Sequence, residues 1–231
     1  VMKYQAIDLG RIDFIKAYRL QKQIVEELKY NDGLDTLIFC EHNPVFTLGR
    51  QGRLENILIS DTVLEKQNLG VIKTDRGGDV TYHGPGQIVV YPVLNLKKHK
   101  KDIHWYLRSL EQIIIDLLAR YKIPSHRNAG FTGVWVDGKK IASIGIGVSG
   151  WITYHGLALN VNTDLDYFSM IKPCNLDVKM TSMSRILSRD LDLSEVKGEL
   201  IDCFQQNFVT SERELCFKSV QSGILLYLDY Y

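Results

Sequence analysis

The sequence predicts an α/β fold in which helices pack on a mixed β-sheet. Three observations support this prediction. Apolar residues at helical spacing mark amphipathic helices at 12–28 and 103–121. Short apolar runs at 34–40 and 88–96 are typical of buried strands. The Asp137-Gly138 pair predicts a type I′ hairpin, because both central residues of that turn need φ > 0.

The composition is that of an ordinary folded protein with no bias toward nucleic acid or membranes. The chain has 231 residues, 45% of them hydrophobic and 24% charged, and its net charge is +1. No apolar run approaches the length of a membrane span, and the first residues do not resemble a signal or transit peptide. We therefore expect a cytoplasmic protein with a single domain over residues 1–231, whose segment from about 190 to 231 has no assigned role.

The first half of the chain alternates between helical and strand patterns. The helix at 12–28 ends near Gly33, and buried strands are predicted at 34–40 and again at 45–49. Ser60 or Asp61 caps a short helix that extends to residue 68. Residues 70–74 then predict another strand.

A proline and a lysine-rich run follow in the middle of the chain. Pro92 lies within the strand predicted at 88–96 and indicates an edge strand or a bulge, because proline has no N–H to donate. The run KKHKK at 97–101 is either a solvated loop or a docking patch that attracts an acidic protein. Asp102 caps the helix at 103–121. Further on, 181–187 and 194–208 predict helices, and the apolar tail at 211–231 predicts strands.

Lys140 follows the Asp137-Gly138 turn, in a strand whose side chains should alternate between two faces. Strict alternation gives Lys140 the same face as Ala142, Ile144, Ile146 and Val148, and gives Lys139 the face of Ser143, Gly145 and Gly147. An amine on an apolar face loses hydration, which lowers its pKa and makes it usable as a base near neutral pH. The alternative is an exposed lysine at the end of a strand.

The four cysteines show no spacing typical of a disulfide framework or a zinc site, which fits a reducing compartment. Cys40 lies in an apolar run and Cys203 in a predicted helix, so both are expected in the core. Cys174 differs because it follows Pro173, which ends regular structure and presents the thiol from a loop or an element terminus. A buried structural cysteine is the alternative.

Residues 76–87 contain four glycines and one proline. Such a density of glycine allows the backbone to approach a ligand closely. The run is not a P-loop, and no G-x-G-x-x-G motif opens a helix here. It is either a tight structural turn or the wall of a site.

Several motifs, taken together, resemble the lipoyl(octanoyl) transferase family. They lie in order between about residues 35 and 185: EHNPVFT at 41–47, RGGDVTYHGPGQ at 76–87, KIASIG at 140–145, HGLALN at 155–160 and PC at 173–174. One position differs, since the family usually has glycine after the cysteine and Asn175 stands there in this chain. Asparagine tolerates the left-handed backbone region better than most residues.

The resemblance implies a biotin/lipoyl protein ligase-like catalytic fold and a set of site residues. Cys174 and Lys140 would be catalytic. His83 and His155 would orient the thioester carbonyl or the catalytic pair, and neither is assigned as the base. The substrate pocket would be formed by Arg76, Gly77, Gly78, Asp79, Val80, Thr81, Tyr82 and His83, by Ser143, Ile144 and Gly145, and by His155, Gly156, Leu157 and Ala158.

The resemblance also implies a reaction. The donor would be octanoyl-acyl carrier protein, and the acceptors would be lysines of the lipoyl domains of 2-oxoacid dehydrogenases and of the glycine cleavage H protein. Cys174, as a thiolate, would attack the thioester, and the acceptor amine would then attack the acyl-enzyme while Lys140 takes and returns the protons. We expect no cofactor and no metal, and neither nucleic acid nor membrane as a partner.

Three alternatives remain open from the sequence. An ATP-dependent lipoate or biotin ligase would share the lysine and the fold but needs no thiol. A thiol hydrolase of the Cys-His type would use His83 or His155 as its base. An inactive acyl-carrier-binding homologue would keep the pocket and lose the chemistry.

Overall fold

The structure, a computed structural model, describes residues 3–30, 33–172, 178–208 and 214–219. The strands are β1 (Lys3–Ile12), β2 (Asp35–His42), β3 (Val45–Leu48), β4 (Gly70–Lys73), β5 (Val80–His83), β6 (Gln87–Val93), β7 (His126–Asn128), β8 (Phe131–Val136), β9 (Lys139–Ser149), β10 (Ile152–Asn160) and β11 (Glu214–Ser219). The α-helices are α1 (Phe14–Tyr30), α2 (Asp61–Lys66), α3 (Ile103–Arg120), α4 (Met183–Leu187) and α5 (Leu193–Phe208). Short 3₁₀ helices lie at Leu54–Asn56, Leu96–Lys98 and Asp166–Met170.

The central sheet has eight strands in the order β11-β1-β2-β6-β10-β9-β8-β7. β1 is parallel to both of its neighbours, and the remaining pairs are antiparallel. A smaller sheet has the order β4-β3-β5. The predicted mixed sheet with helices packed on it is therefore confirmed.

Helices cover both faces of the central sheet. Leu37 and Ile38 are adjacent in β2 and point to opposite faces, as strand geometry requires. Leu37 belongs to a core cluster with α3 and α5. Ile38 belongs to a second cluster with α1. None of the helices formed by the described residues has the length and apolarity that a bilayer crossing requires.

The locally encoded elements are confirmed. The helix predicted at 12–28 is α1, and the helix predicted at 103–121 is α3, whose N-cap Asp102 accepts a hydrogen bond from the Trp105 N–H at 2.9 Å. The predicted strand tail is confirmed at β11, which pairs with β1. The remaining tail residues, 211–213 and 220–231, lie outside the described part of the chain. The sequence prediction did not include β1.

Pro92 does not mark an edge strand, so that alternative was wrong. β6 lies between β2 and β10 in the sheet. The paired register of β6 with β10 ends at Val90 and Leu157, two residues before Pro92. The missing N–H of Pro92 therefore falls in a stretch where β6 is not paired with β10. The bridge between Asn95 and Ile152 continues the same register, so these described residues do not bear out the bulge alternative either.

The Asp137-Gly138 hairpin has the predicted geometry. The φ angles are +48° at Asp137 and +73° at Gly138, as a type I′ turn requires. The turn joins β8 to β9, which are paired antiparallel.

The face predicted for Lys140 was wrong, because a β-bulge interrupts the alternation. Lys140 pairs with Trp135, whereas Ala142 pairs with Val134, so Ile141 is one extra residue in β9. Trp135 and Val134 are consecutive in β8, so their side chains point to opposite faces of the sheet. Each paired residue of β9 points to the same face as its partner in β8. Lys140 and Ala142 therefore lie on opposite faces of the sheet.

Candidate active site

A cavity of about 480 Å³ lies between a loop that follows β4, the strands β9 and β10, and the first turns of α3. We call residues 76–79 of this loop the glycine-rich loop. This volume is within the usual range of small-molecule sites, about 300–1,000 Å³. Lys140 lines it together with nearly all of the residues named for the pocket: Arg76, Gly77, Gly78, Asp79, Val80, Thr81, His83, Ser143, Ile144, Gly145, His155, Gly156, Leu157 and Ala158. Tyr82 is not among the lining residues; its ring stacks on Tyr167 with centroids 4.5 Å apart.

Apolar side chains that the sequence did not single out complete the cavity wall. They come from α1, from α3, from β8 and from the 3₁₀ helix at Asp166–Met170: Phe14, Ile103, Leu107, Phe131 and Phe168. A cavity of this volume, lined by aliphatic and aromatic side chains as well as polar groups, can hold a medium-length hydrocarbon chain.

Arg76 anchors the glycine-rich loop to β3. Its guanidinium donates to the Thr47 carbonyl oxygen at 2.6 Å, to the Thr47 hydroxyl at 2.9 and 3.2 Å, and to the Gly77 carbonyl at 3.0 Å. The side chain is buried, and burial lowers the pKa of Arg76 to about 10. The buried cation thus gives the loop a fixed shape and a positive potential beside the cavity.

The same loop approaches β9 so closely that one position requires glycine. The Gly77 N–H donates to the Ile146 carbonyl at 2.8 Å. A Cβ added at Gly145 would lie 2.8 Å from the Gly77 carbonyl oxygen. Only a residue without a side chain fits between the loop and the strand, so the loop backbone itself forms part of the cavity wall.

His83 is held in one tautomer by a chain of amides. Its Nδ1–H donates to the Gln87 Oε1 at 2.8 Å, and the Gln87 amide nitrogen donates to the Asn160 Oδ1 at 2.9 Å. Asn160 in turn donates to the Thr181 carbonyl at 3.0 Å. Burial holds the pKa of His83 well below its ordinary value. His83 is therefore a neutral, fixed imidazole.

His155 lies in β10 with φ of +55°, an unusual backbone angle for a residue other than glycine. The backbone is held there by Gln21 of α1, whose side-chain oxygen accepts the His155 N–H at 2.7 Å. The imidazole Nε2–H donates to Asp75 at 2.8 Å, and the ring stacks on Tyr18 at 5.2 Å. Burial lowers the pKa of His155, although the Asp75 carboxylate opposes this effect.

Asp75 is the centre of a cluster that the sequence did not reveal. Besides His155, it accepts hydrogen bonds from the Tyr18 and Tyr154 hydroxyls at 2.8 Å and from the Lys22 ammonium at 2.9 Å. Partial burial alone would raise the pKa of Asp75, but the four donors outweigh it and hold the pKa far below its ordinary value. The carboxylate is thus permanently ionised and fixes the orientation of His155.

Lys140 reaches the cavity from the start of β9. Its Nζ lies 5.0 Å from the centroid of the Trp135 ring. Its backbone N–H donates to the Lys179 carbonyl at 2.8 Å, and its carbonyl accepts the Thr181 N–H at 2.9 Å. The strand containing Lys140 is therefore joined directly to the segment that follows residue 177.

Cys174, together with Pro173 and Asn175, lies outside the described residues. The described residues on either side are Lys172 and Val178. The Lys172 N–H donates to the Asn56 carbonyl at 2.8 Å, and Val178 lines the cavity. The two expected core cysteines, Cys40 and Cys203, are free and buried.

Comparison with known sequences identifies one family. The model of the family described as the lipoyl protein ligase A/B catalytic domain matches residues 13–205. A protein named octanoyltransferase from Solibacter usitatus is 50% identical over 178 residues, which are 77% of this chain and 81% of that protein. An octanoyltransferase from Geobacter metallireducens is 41% identical over 207 residues, covering 89% of this chain and 93% of the relative.

Comparison with solved structures concerns the fold alone, because the sequence identities are low. A lipoate-protein ligase A bound with ATP superposes with a TM-score of 0.78 at 15% identity, over 98% of this chain and 92% of that one. The biotin protein ligase from Aquifex aeolicus, in complex with biotin and ATP, gives a TM-score of 0.54 at 17% identity. The superposition covers 88% of this chain and 69% of the ligase. The predicted biotin/lipoyl protein ligase-like fold is therefore confirmed.

Proposed function

Because the chain belongs to the lipoyl protein ligase A/B catalytic domain family, and within it to the octanoyltransferases, we propose that it passes an octanoyl group from a carrier thioester to a protein lysine. The enzyme acts in lipoate biosynthesis. Its donor is octanoyl-acyl carrier protein, and its acceptors are the lysines of lipoyl domains and of the glycine cleavage H protein. The whole chain forms one catalytic domain, and a cytoplasmic location is consistent with the free thiols of Cys40 and Cys203.

The observation that carries the proposal is that Lys140 lines the same cavity as three separate sequence motifs. These motifs lie in the glycine-rich loop, in β9 and in β10, and each supplies backbone or apolar side chains to the wall. Burying an eight-carbon acyl chain in such a cavity contributes roughly 5 kcal/mol, at about 0.8 kcal/mol per methylene. That energy favours octanoyl over acetyl but discriminates weakly between neighbouring chain lengths.

Cys174 is the proposed nucleophile, and its place in the sequence supports this role. It is four residues from Val178, which lines the cavity. A fully extended chain of that length spans at most about 14 Å. The buried cysteines Cys40 and Cys203 are unsuited to attack, since burial raises the pKa of both thiols, to about 11 for Cys203.

In the proposed reaction, the Cys174 thiolate attacks the thioester carbonyl and expels the carrier thiol, which takes up the proton held by Lys140. The acceptor amine then attacks the acyl-enzyme and releases Cys174 as the amide forms. Lys140 accepts the proton from the amine and returns it to the leaving sulfur. Backbone N–H groups of the glycine-rich loop, which lines the cavity, are suited to stabilise the oxyanion.

Intact-mass spectrometry after incubation with octanoyl-acyl carrier protein tests this proposal. We expect the protein to gain the mass of one octanoyl group, and Cys174→Ala to gain none. Cys203→Ala is the matched control and should form the adduct like the natural chain. An adduct in Cys174→Ala, or none in the natural chain, would refute the proposal.

Lys140→Ala tests the proton-transfer role separately. General acid–base catalysis is worth about 10²–10⁴-fold, so we expect the rate of acyl transfer to fall by that order. Lys66→Ala removes an exposed lysine outside the described linings of the cavity and serves as the control for the loss of a positive charge. A Lys140→Ala enzyme that turns over at the natural rate would exclude Lys140 as the acid–base group.

A further inference from the structure

A second concave surface adjoins the cavity, and we call it the basic groove. It is bordered by the four cations Lys139, Lys172, Lys179 and Arg185. Groove and cavity share the wall residues Phe168, Val178 and Met180. A molecule bound along the groove would therefore lie directly beside the cavity that is proposed to hold the acyl chain.

The four cations are exposed, and their charge is largely uncompensated. Within the described part of the chain, none of them has a carboxylate within 4.0 Å. Among the described residues that line the groove, Asp166 is the one acid, so these residues carry four positive charges against one negative. In a chain whose net charge is +1, this is a strong local surplus.

The backbone brings these charges together. Lys140 is bridged in parallel to Met180, so the end of β9 and the segment 178–181 run side by side. This pairing places Lys139 and Lys179 next to the catalytic-site lysine, while α4 supplies Arg185. The groove is thus fixed by the same hydrogen bonds that hold Lys140.

The lysine-rich run at 97–101, which the sequence left open as a docking patch, is a weaker candidate for a docking surface than the groove. Its central residue His99 is buried and bonds to Asp35 at 2.7 Å, and Lys100 pairs with Asp102 at 3.1 Å. Residues 97–101 are absent from the described linings of both the cavity and the groove. The geometry favours the solvated-loop interpretation for this run.

We propose that the basic groove is the docking site of the donor, an acidic carrier protein whose thioester sits at the end of a phosphodiester-linked arm. This inference rests on the proposed function. Arg185 and the three lysines would contact the phosphodiester and acidic side chains of the carrier. Leu58, whose side chain is 57% exposed at the rim of the groove, offers an apolar contact. Uncompensated positive charge also raises the rate of encounter with an acidic protein.

The charge of the groove distinguishes the donor from the acceptor. The donor arm is joined to its acidic carrier through an anionic phosphodiester, at the end of the arm opposite the thioester. The reacting group of the acceptor is a lysine amine, which is a cation in solution. The described lining residues carry three more positive than negative charges, so the groove attracts the phosphodiester and repels the ammonium group.

Acylation kinetics of a double charge reversal test the proposal. Lys172→Glu combined with Arg185→Glu changes the groove without touching the backbone pairing of Lys140. The matched control is Lys66→Glu combined with Lys73→Glu, two exposed lysines outside the described linings of cavity and groove. Both variants undergo the same change in net charge. Each is acylated in the absence of acceptor, with octanoyl-acyl carrier protein or with the octanoyl thioester of N-acetylcysteamine as donor.

We expect the groove variant to lose at least about tenfold in kcat/KM for acylation by the carrier, and to keep the natural rate with the small neutral thioester. The control should keep both rates. Added salt should slow the carrier reaction of the natural enzyme and of the control, and should leave the reactions with the small thioester unchanged. Equal carrier rates in the groove variant and the control would refute the docking site, as would an equal loss with both donors. Lipoyl domain is then added to the acylated variants, and a loss confined to this second step in the groove variant would refute the donor site and assign the groove to the acceptor. Absence of any acylation in the natural enzyme would refute the proposed function itself.

Discussion

Gly133 of β8 controls the position of the Lys140 side chain. Its φ of +126° is a conformation that L residues rarely adopt. A Cβ at this position would lie 2.6 Å from the Ala142 carbonyl oxygen and 3.2 Å from the Lys140 Cε. The absence of a side chain therefore leaves the space through which the lysine reaches the cavity.

We expect Gly133→Ala to lower acyl transfer by about 10- to 100-fold, because displacing a catalytic group by about 1 Å has effects of that order. Backbone strain should also lower the free energy of unfolding by about 1–3 kcal/mol. Gly150→Ala is the control: it also has positive φ, but nothing lies within 4 Å of its added Cβ. The test is to measure the rate of acyl transfer in the two variants at a temperature below the melting temperature of each. Equal rates in the two variants would show that Gly133 does not set the position of Lys140.

At the residue scale, the sequence identified the groups with local signatures and missed those assembled by the fold. Lys140 could be singled out because it follows a two-residue hairpin with a strong turn signal. Its face could not be predicted, because the bulge at Ile141 breaks the alternation without any sequence mark. Asp75 and its donors lie far apart along the chain, so no spacing rule brings them together.

At the scale of elements, α1 and β10 depend on each other through one buried amide. Gln21 is fully buried; its oxygen accepts the His155 N–H, and its nitrogen donates to the Ala17 carbonyl at 3.3 Å. The contact supports the positive φ at His155, and the same helix supplies Tyr18 and Lys22 to Asp75. One helix therefore fixes both the backbone and the ring of His155.

Gln21→Leu should destabilise the protein by about 1–3 kcal/mol, because it leaves the buried His155 N–H without an acceptor. Gln23→Leu makes the same change two residues away, on the exposed side of α1, and should change the free energy of unfolding by less than about 0.5 kcal/mol. Denaturant unfolding of both variants gives the comparison. Similar destabilisation by the two substitutions would mean that the amide contact does not support β10.

The elements themselves were predictable where their signals are local. α1 and α3 each bury one stripe of apolar residues, and a stripe at helical spacing can be recognised in sequence. The position of Pro92 was not predictable in the same way. Whether a proline lies in an edge strand depends on strand order, and strand order is set by pairings between residues far apart in the chain.

At the scale of the whole molecule, the fold does not distinguish a transferase from a ligase. This chain superposes on an ATP-bound lipoate-protein ligase over nearly its full length. The same framework therefore occurs both in a ligase that binds ATP and in a chain whose relatives are octanoyltransferases. The distinction comes from sequence relatives named octanoyltransferase, which share up to 50% identity with this chain.

Three buried neutral histidines make the stability of the whole molecule sensitive to acid. Burial lowers the pKa of His42, His83 and His155. His42 is the clearest case, because its Nδ1–H donates to the Ile12 carbonyl at 2.9 Å and its Nε2 accepts the Tyr91 hydroxyl at 2.6 Å. Protonation of Nε2 would remove its acceptor role and place a charge in the core.

The pKa of His42 falls from 6.5 to about 4 on folding, so the unfolded chain binds the proton more tightly. Its contribution to stability is therefore complete above pH 6.5 and is lost as the pH falls toward 4. A shift of this size corresponds to roughly 3 kcal/mol. We expect the free energy of unfolding, measured with denaturant at intervals across this range, to fall steeply in the natural protein.

The variant His42→Gln isolates the contribution of this one residue. It should be less stable than the natural protein at neutral pH, but its stability should fall by roughly 3 kcal/mol less between neutral pH and pH 4. His104→Gln, which removes an exposed histidine, should reproduce the pH dependence of the natural protein. Parallel curves for His42→Gln and the natural protein would assign the acid sensitivity to other groups. The same measurement on a His83→Gln variant would then show whether the histidine beside the cavity, which the amide chain holds in its neutral form, carries the effect instead.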